Sequence, residues 1–164
     1  MPESTLEMEL QQLVPGIIGA FVGVIGWLFV GIYIQRLQFM RQARNAARAV
    51  YFEVEVNRVA VGIAREFGSF TPLDRTSFER LLPELATLFS PAELKGIVSA
   101  YMAHAGYQQA SSADQLPSEV RKHSLDGILA AQEQALETLR SRAFTAREAA
   151  ALDAAPTSTA SSSG

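Results

Sequence analysis

Residues 13–35, LVPGIIGAFVGVIGWLFVGIYIQ, decide how the chain is organised. They lie inside a run from 10 to 35 that contains no charged side chain. Because a helix rises about 1.5 Å per residue, these 23 residues span roughly 34 Å, which exceeds the hydrocarbon core of a bilayer, about 30 Å thick. The sequence therefore predicts one transmembrane helix near the N-terminus.

Two other interpretations of this segment are weaker. A cleaved signal peptide has a basic leading region, a shorter apolar stretch and a small-residue cleavage site. Here the leading charges are the acidic residues Glu3, Glu7 and Glu9, and Arg36 stands where cleavage would fall. A buried helix of a soluble protein is the other alternative, but a charge-free run of 26 residues is unusual for one. We therefore interpret the segment as a membrane anchor.

Basic side chains are confined to one side of this anchor. All 14 Lys and Arg residues lie at Arg36 or later. Four arginines follow the predicted span closely: Arg36, Arg41, Arg44 and Arg48. Because cytoplasmic flanks carry the excess of Lys and Arg, we expect residues 1–12 outside the plasma membrane and the domain at 36–152 in the cytoplasm. The four arginines are candidate contacts for anionic lipid headgroups, at about 1 kcal/mol each.

Glycines lie close to one face of the predicted span: Gly16, Gly19, Gly23 and Gly26. Residues 19–23 read GAFVG, a small-xxx-small arrangement that lets two membrane helices approach closely. The alternative is that glycine is simply frequent in membrane helices. We expect this face to mediate self-association, and hence a homo-oligomer.

The helix is predicted to continue beyond the span, since no Gly or Pro occurs between Gly31 and Gly62. At about 100° per residue, an apolar seam lies opposite the arginines. Its members are Phe39, Ala43, Ala47, Val50, Val54, Val61 and Ala64. Residues 52–56, FEVEV, alternate as a strand would. The alanine-rich stretch before them and the lack of a turn signal favour a helix.

Two polar residues interrupt this seam. Asn57 falls inside it, and Glu53 lies one turn earlier at its edge. A buried polar pair of this kind forms either a ligand site or a structural device that sets the packing register, as a buried Asn does in coiled coils. We favour the structural role.

Start and stop signals divide the rest of the chain. Gly68 is a plausible helix stop. Residues 76–79, TSFE, and 90–93, SPAE, both fit capping boxes at helix starts. Pro83 lacks an amide donor and is expected to kink or split the helix that contains it.

The C-terminal half is predicted to contain one loop and one long helix. Residues 106–117, rich in Gln, Ser and Ala, are expected to form the loop, and the last helix is expected over about 117–151. The tail at 153–164 has no apolar content and is expected to be disordered. The predicted fold class is all-α, with the transmembrane helix continuing into a cytoplasmic antiparallel bundle of three to four helices.

The sequence contains no recognisable catalytic or cofactor-binding motif. Cysteine is absent, which excludes disulfides and thiolate metal ligands. The two histidines, His104 and His123, lie on different predicted elements, and no HExxH, GxSxG or phosphate-binding motif occurs. Seventeen acidic residues less the three before the anchor balance the 14 basic ones, so the body carries no net charge and no nucleic-acid partner is expected. We expect no cofactor, no metal, no catalytic residue and no enzyme activity.

Three hypotheses for function follow from these features. The first is a membrane-tethered interaction or scaffold module that holds a protein partner at the cytoplasmic face. The second is a membrane-active, lysis- or toxin-like protein that assembles through its glycine-rich span. The third is an enzyme or ligand sensor in which Glu53, Asn57 and His104 line one pocket.

Overall fold

The computed structural model describes residues 3–112 and 117–154, with side-chain surroundings from Gly19 onward. Its described residues form helices and short connections and contain no strand, so the predicted all-α class is confirmed. The chain forms two compact units, Met1–Phe39 and Met40–Gly164.

Helix α1 covers Glu3–Phe67 without a break, as expected from the lack of Gly and Pro after the predicted span. In the first unit its large apolar side chains are exposed, among them Phe21, Trp27 and Phe29. Among the described residues, one helix is long and apolar enough to cross a membrane by length and composition. Residues 52–56 are helical, so the strand alternative is excluded.

Helix α1 ends where the sequence predicts. Gly68 has φ of +67°, in the left-handed region that a side chain disfavours, and its N–H donates to the carbonyl of Ala64 at 2.9 Å. This hydrogen bond satisfies the carbonyl of Ala64, and the turn leads into the connector formed by residues 68–75.

The second unit contains the rest of α1 and five shorter helices. These are α2 Thr76–Leu88, α3 Pro91–Met102, α4 His104–Ser112, α5 Ser118–Ala143 and α6 Ala146–Ala154. Helices α3 and α4 both pack against α5.

Two apolar clusters form the interior of this unit. The first combines residues of α1, α2, α3 and α5 with Phe89: Ala47, Val50, Val54, Leu85, Phe89, Ile97, Tyr101, Leu136, Leu139 and Ala143. The second combines residues of α1, α4 and α5: Val61, Ala64, Tyr107, Ala110, Leu125 and Ile128. Each fully buried Leu or Ile contributes about 1.5–3 kcal/mol by leaving water. All the predicted seam residues are buried except Phe39, which is 53% exposed.

The start signal at 90–93 is confirmed and the one at 76–79 is wrong. Ser90 and Glu93 form the reciprocal capping box, with the Ser90 N–H donating to the Glu93 carboxylate at 2.8 Å. At α2, however, Thr76 is already helical and its hydroxyl donates to Asp74 at 2.6 Å. The backbone amides of Arg75 and Thr76 also donate to the Asp74 carboxylate, so Asp74 caps this helix.

Four other expectations need correction. The loop expected at 106–117 is helical as far as Ser112, because Tyr107 and Ala110 face the second cluster one turn apart; 113–116 lie outside the described residues. The helix expected at 117–151 is interrupted at Phe144, whose backbone is extended. A reciprocal capping box between Thr145 and Glu148 then starts α6. Pro83 does not split α2, and α6 reaches Ala154, beyond which the expected disordered tail lies outside the described residues.

Candidate functional site

A buried carboxylate lies at the start of α2. Glu53 is only 8% exposed and accepts three hydrogen bonds. Its donors are the backbone amides of Ser77 at 2.5 Å and Phe78 at 3.2 Å, and the Tyr101 hydroxyl at 2.6 Å. A carboxylate is stable out of water when it is paired in this way and lies at the positive end of a helix. Glu53 therefore joins α1 to α2 and α3.

Asn57, one turn further along α1, holds the connector in the same manner. It is 2% exposed, and its amide makes two bonds to the backbone of Asp74. The Asn57 Nδ2 donates to the Asp74 carbonyl at 2.6 Å, and the Asp74 N–H donates to Asn57 Oδ1 at 2.9 Å. Hydrogen bonds from Thr76 lower the pKa of Asp74, which keeps its carboxylate charged and able to cap α2.

Tyr101 and His104 extend this network towards the surface. The Tyr101 ring stacks on Phe78 with centroids 4.0 Å apart, and burial followed by the Glu53 hydrogen bond raises the pKa of its hydroxyl. His104 lies one turn away, its ring centroid 5.2 Å from that of Tyr101. It is 6% exposed, and its buried Nδ1 has no hydrogen-bond partner in the described part of the chain. Burial, with the positive charge of Arg75, lowers the pKa of His104, so the imidazole is neutral at pH 7.

A cavity of about 450 Å³ opens between the connector and the α3–α4 junction. Its apolar lining consists of Phe70, Pro72, Leu73, Met102, Ala105 and the ring of Tyr107. Its polar lining consists of Thr71, Arg75, Tyr101, His104, Gln108 and Ser111. The wall is braced by the Tyr107 hydroxyl, which donates to the Thr71 carbonyl at 3.0 Å and accepts from the Thr71 N–H at 3.1 Å. A volume of this order is typical of a small-molecule site.

The cavity brings together only part of the residue set proposed from the sequence. Of Glu53, Asn57 and His104, only His104 lines it; Glu53 is linked to it through Tyr101, and Asn57 holds the residue before Arg75. The sequence placed Tyr101 on the apolar stripe of its helix and on the same face as His104, three residues later, but gave it no role in a site. Arg75 was not predicted to belong to a site.

The arginines expected to contact lipid headgroups differ in their surroundings. Arg36, Arg41 and Arg44 are exposed. Arg48 is half-buried, and its guanidinium is held at the α5–α6 junction. It donates to the Ala143 carbonyl at 3.0 Å and to Glu148 at 2.7 Å, and it lies 5.3 Å from the Phe144 ring centroid.

The glycines of the predicted span have open surroundings. A methyl group added at Gly19, Gly23 or Gly26 would meet no atom within 4 Å. Gly16 lies outside the residues whose surroundings are described.

A second apolar row on α1 was missed in the sequence. Its side chains are exposed by the fractions given: Phe52 51%, Val56 66%, Val59 55%, Ile63 42% and Phe67 81%. At about 100° per residue they lie opposite the buried face that contains Val54 and Val61. This row, hereafter the α1 row, explains why 52–56 alternate: Val54 is buried, whereas Phe52 and Val56 face outward on the other side.

Neither metal-ligand geometry nor similarity to other proteins gives further information about this site. Within the described ranges, no group of three His, Asp or Glu side chains is placed to hold a metal ion. No protein-family model matches the chain, and comparisons with curated proteins and with solved structures found no significant match.

Proposed function

We propose that this chain is a single-pass protein of the plasma membrane and a tethered interaction module. Residues 13–35 form the anchor, and the domain that follows is an antiparallel helical bundle at the cytoplasmic face. The α1 row is the surface with which the bundle binds a second copy of the chain. The observation that carries this proposal is the row itself, five large apolar side chains exposed on one face of a helix whose other face is fully packed.

Exposure of the apolar residues in the first unit supports the anchor. Side chains from Phe21 to Ile34, including Trp27, are exposed and pack against nothing in their unit. Apolar surface in water costs about 25 cal/mol for each Å², and a bilayer removes this cost along the whole segment. The acidic residues before the segment and the exposed Arg36, Arg41 and Arg44 after it support a cytoplasmic bundle.

The spacing of the α1 row favours a second copy as the occupant. Phe52, Val56, Val59 and Ile63 are separated by four, three and four residues, the spacing of a coiled-coil seam. Two chains inserted in one membrane in the same direction present identical rows in parallel and at high local concentration. The open surroundings of Gly19, Gly23 and Gly26 permit close approach of the two anchors as well.

Single-cysteine labelling tests the anchor and its direction. The chain contains no cysteine, so Ser4→Cys and Ser158→Cys each introduce one thiol. A membrane-impermeant maleimide is expected to label the first variant in intact cells and the second only after permeabilisation. The opposite pattern would overturn the orientation, and recovery of the protein in the soluble fraction would overturn the anchor.

The oligomeric state tests the α1 row. The double variant Val56→Glu/Ile63→Glu places charges on the row without touching either apolar cluster. The native protein in mild detergent is expected to be a dimer by mass, and the variant a monomer with unchanged helix content. Gln134→Glu, an exposed change on α5, is the matched control and is expected to remain dimeric. A dimer that survives the double variant would refute this interface, and so would row-dependent binding of a different protein to a monomer.

A further inference from the structure

We infer that the interface with the second copy continues from the α1 row towards the N-terminus of α1, and that the amides of Gln42 and Asn45 there hold the two copies parallel and in register. This inference rests on the proposed self-association through the α1 row and adds the geometry of the complex. Each side chain at the interface meets the same residue of the other copy, and the amides of Gln42 and Asn45 hydrogen-bond between the copies.

The spacing of the α1 row continues without a break on its N-terminal side. Steps of three and four residues back from Phe52 reach Ala49, Asn45 and Gln42. Gln42 and Asn45 are exposed, and Ala49 is half-buried. The resulting set, hereafter the extended row, keeps coiled-coil spacing over three heptads: Gln42, Asn45, Ala49, Phe52, Val56, Val59 and Ile63. At about 100° per residue these positions form a stripe about 100° wide that does not overlap the buried face of α1.

Charged residues in this part of α1 avoid the extended row. Between positions 41 and 65 they are Arg41, Arg44, Arg48, Glu53, Glu55, Arg58 and Arg65. In a parallel pair in register, a charged residue on the row would face an identical charge, which is unfavourable. An amide faces its own copy without this penalty, because it carries both a hydrogen-bond donor and an acceptor. The extended row therefore consists of side chains that can each pair with an identical one.

The two ends of the extended row differ in polarity, and this difference favours one direction of pairing. Gln42 and Asn45 lie at one end, and Val59 and Ile63 lie at the other. An antiparallel pair would bury the amides against these apolar side chains, at about 1–3 kcal/mol for each polar group left without a hydrogen bond. A parallel pair places amide against amide and apolar side chain against apolar side chain. A polar residue within a coiled-coil seam specifies register and oligomeric state in the same way.

Disulfide formation between single cysteines tests this geometry, because the native chain contains no cysteine. The full chain is used in mild detergent, where no bilayer imposes a direction on the pair. Asn45→Cys and Val56→Cys each place a thiol on the extended row, and Arg44→Cys, an exposed change one residue away, places a thiol off it. Under oxidation by copper phenanthroline, we expect the first two variants to form covalent dimers at least tenfold faster than Arg44→Cys.

A mixture of two variants distinguishes the directions of pairing. Asn45→Cys and Val59→Cys chains with different tags are mixed and then oxidised. A parallel pair in register is expected to give disulfides between identical positions, whereas an antiparallel pair would give the mixed disulfide between position 45 and position 59.

A charge substitution tests the amides themselves. Asn45→Asp places two carboxylates opposite each other and is expected to weaken the dimer at least tenfold at pH 7, measured by energy transfer between labelled copies on dilution in detergent. Gln134→Glu, an exposed change on α5, adds the same charge elsewhere and is expected to leave the affinity unchanged. Circular dichroism establishes that each variant is folded.

The outcomes separate this inference from the self-association on which it rests. If Val56→Cys cross-links but Asn45→Cys is as slow as Arg44→Cys, the α1 row binds a second copy and the extension is wrong. A mixed disulfide between positions 45 and 59, or an Asn45→Asp dimer as tight as that of Gln134→Glu, would also overturn the extension. A native protein that is monomeric by mass would refute the self-association, and the extension with it.

Discussion

The hydroxyl of Tyr101 donates to the carboxylate of Glu53 at 2.6 Å in the interior of the second unit. The two residues are 48 positions apart, and their bond ties α3 to α1. Glu53 also accepts hydrogen bonds from two backbone amides at the start of α2, so this one carboxylate connects α1, α2 and α3. The wall of the cavity is thereby coupled to the helix that carries the α1 row.

Replacing Glu53 tests whether this connection stabilises the fold. Glu53→Gln replaces one of the two carboxylate oxygens with an NH₂ group, and each of these oxygens accepts at least one backbone amide. At least one buried hydrogen bond is therefore lost, and the free energy of unfolding is expected to fall by about 2 kcal/mol. Urea denaturation in detergent micelles, followed by circular dichroism, measures the change. Glu55→Gln, which removes a partly exposed pair with Arg58, is the control and is expected to cost less than about 0.5 kcal/mol. Equal effects of the two substitutions would contradict the structural role of Glu53.

The two glycines near the end of α1 are expected to respond to alanine with opposite signs. Gly68 has φ of +67°, so Gly68→Ala is expected to destabilise the protein by about 1 kcal/mol. Gly62 lies within α1, so Gly62→Ala is expected to stabilise it by about 0.5–1 kcal/mol through helix propensity. Neither added methyl group meets an atom within 4 Å, so packing does not confuse the comparison. Thermal unfolding curves measure both effects, and a change of the same sign at both positions would rule out this explanation.

These helix ends show which features are predictable from sequence. The Gly68 stop and the Ser90–Glu93 box depend on residues within one turn, so local pattern sufficed. The start of α2 does not, because two of its amides bond to Glu53, which lies 24 and 25 residues earlier in the chain. The Thr145–Glu148 capping box has the same local pattern as the Ser90–Glu93 box. It was not predicted because residues 117–151 were interpreted as one continuous helix.

The candidate site was predictable only in part, for a related reason. Glu53, Asn57 and His104 attract notice as polar residues on apolar faces. Arg75 lies in a connector, and its place in the cavity wall depends on the bonds between Asn57 and Asp74 beside it. The α1 row was not predicted because an amphipathic helix is expected to have one apolar face, and the buried seam already accounted for it.

Glu93 predicts an acid-dependent contribution at the start of α3. Bonds from the Ser90 N–H and hydroxyl, and from Arg142, lower the pKa of Glu93 from 4.5 to about 2. A carboxyl whose pKa is lower in the folded state stabilises the fold above its unfolded pKa. This stability is lost as the pH falls from 4.5 towards 2. The stability difference between the wild type and Glu93→Gln is therefore expected to be largest at pH 6 and to shrink on acidification. A difference that stays constant between pH 6 and pH 3 would contradict the assignment, and Glu79→Gln, another exposed first-turn glutamate, serves as the control.

A substitution of Gln132 in the core is expected to increase the stability of the protein. It is 1% exposed, and neither Oε1 nor Nε2 has a partner in the described part of the chain. Gln132→Leu removes two unsatisfied polar atoms at similar volume and is expected to raise the free energy of unfolding by about 1–2 kcal/mol. Gln134→Leu, an exposed neighbour on α5, is expected to change it by less than about 0.5 kcal/mol. A loss of stability in Gln132→Leu would instead mean that a buried water satisfies the amide.

His104 predicts a second loss of stability on acidification, which begins at a higher pH than that of Glu93. Burial, reinforced by the charge of Arg75 and opposed by that of Glu53, lowers the pKa of His104 below its usual 6.5. The unfolded imidazole then takes up a proton at a pH where the folded one does not, so protonation favours unfolding. Stability is expected to be unaffected by this group above pH 6.5 and to fall as the pH drops below it, by about 1.4 kcal/mol for each unit by which the pKa is lowered. Measured between pH 8 and pH 5, the stability of the wild type relative to His104→Gln should decline, whereas His123→Gln should retain the wild-type decline. A relative stability that rises with acidification would mean that the pKa of His104 is higher in the folded than in the unfolded protein, which would contradict burial as the dominant influence on this imidazole.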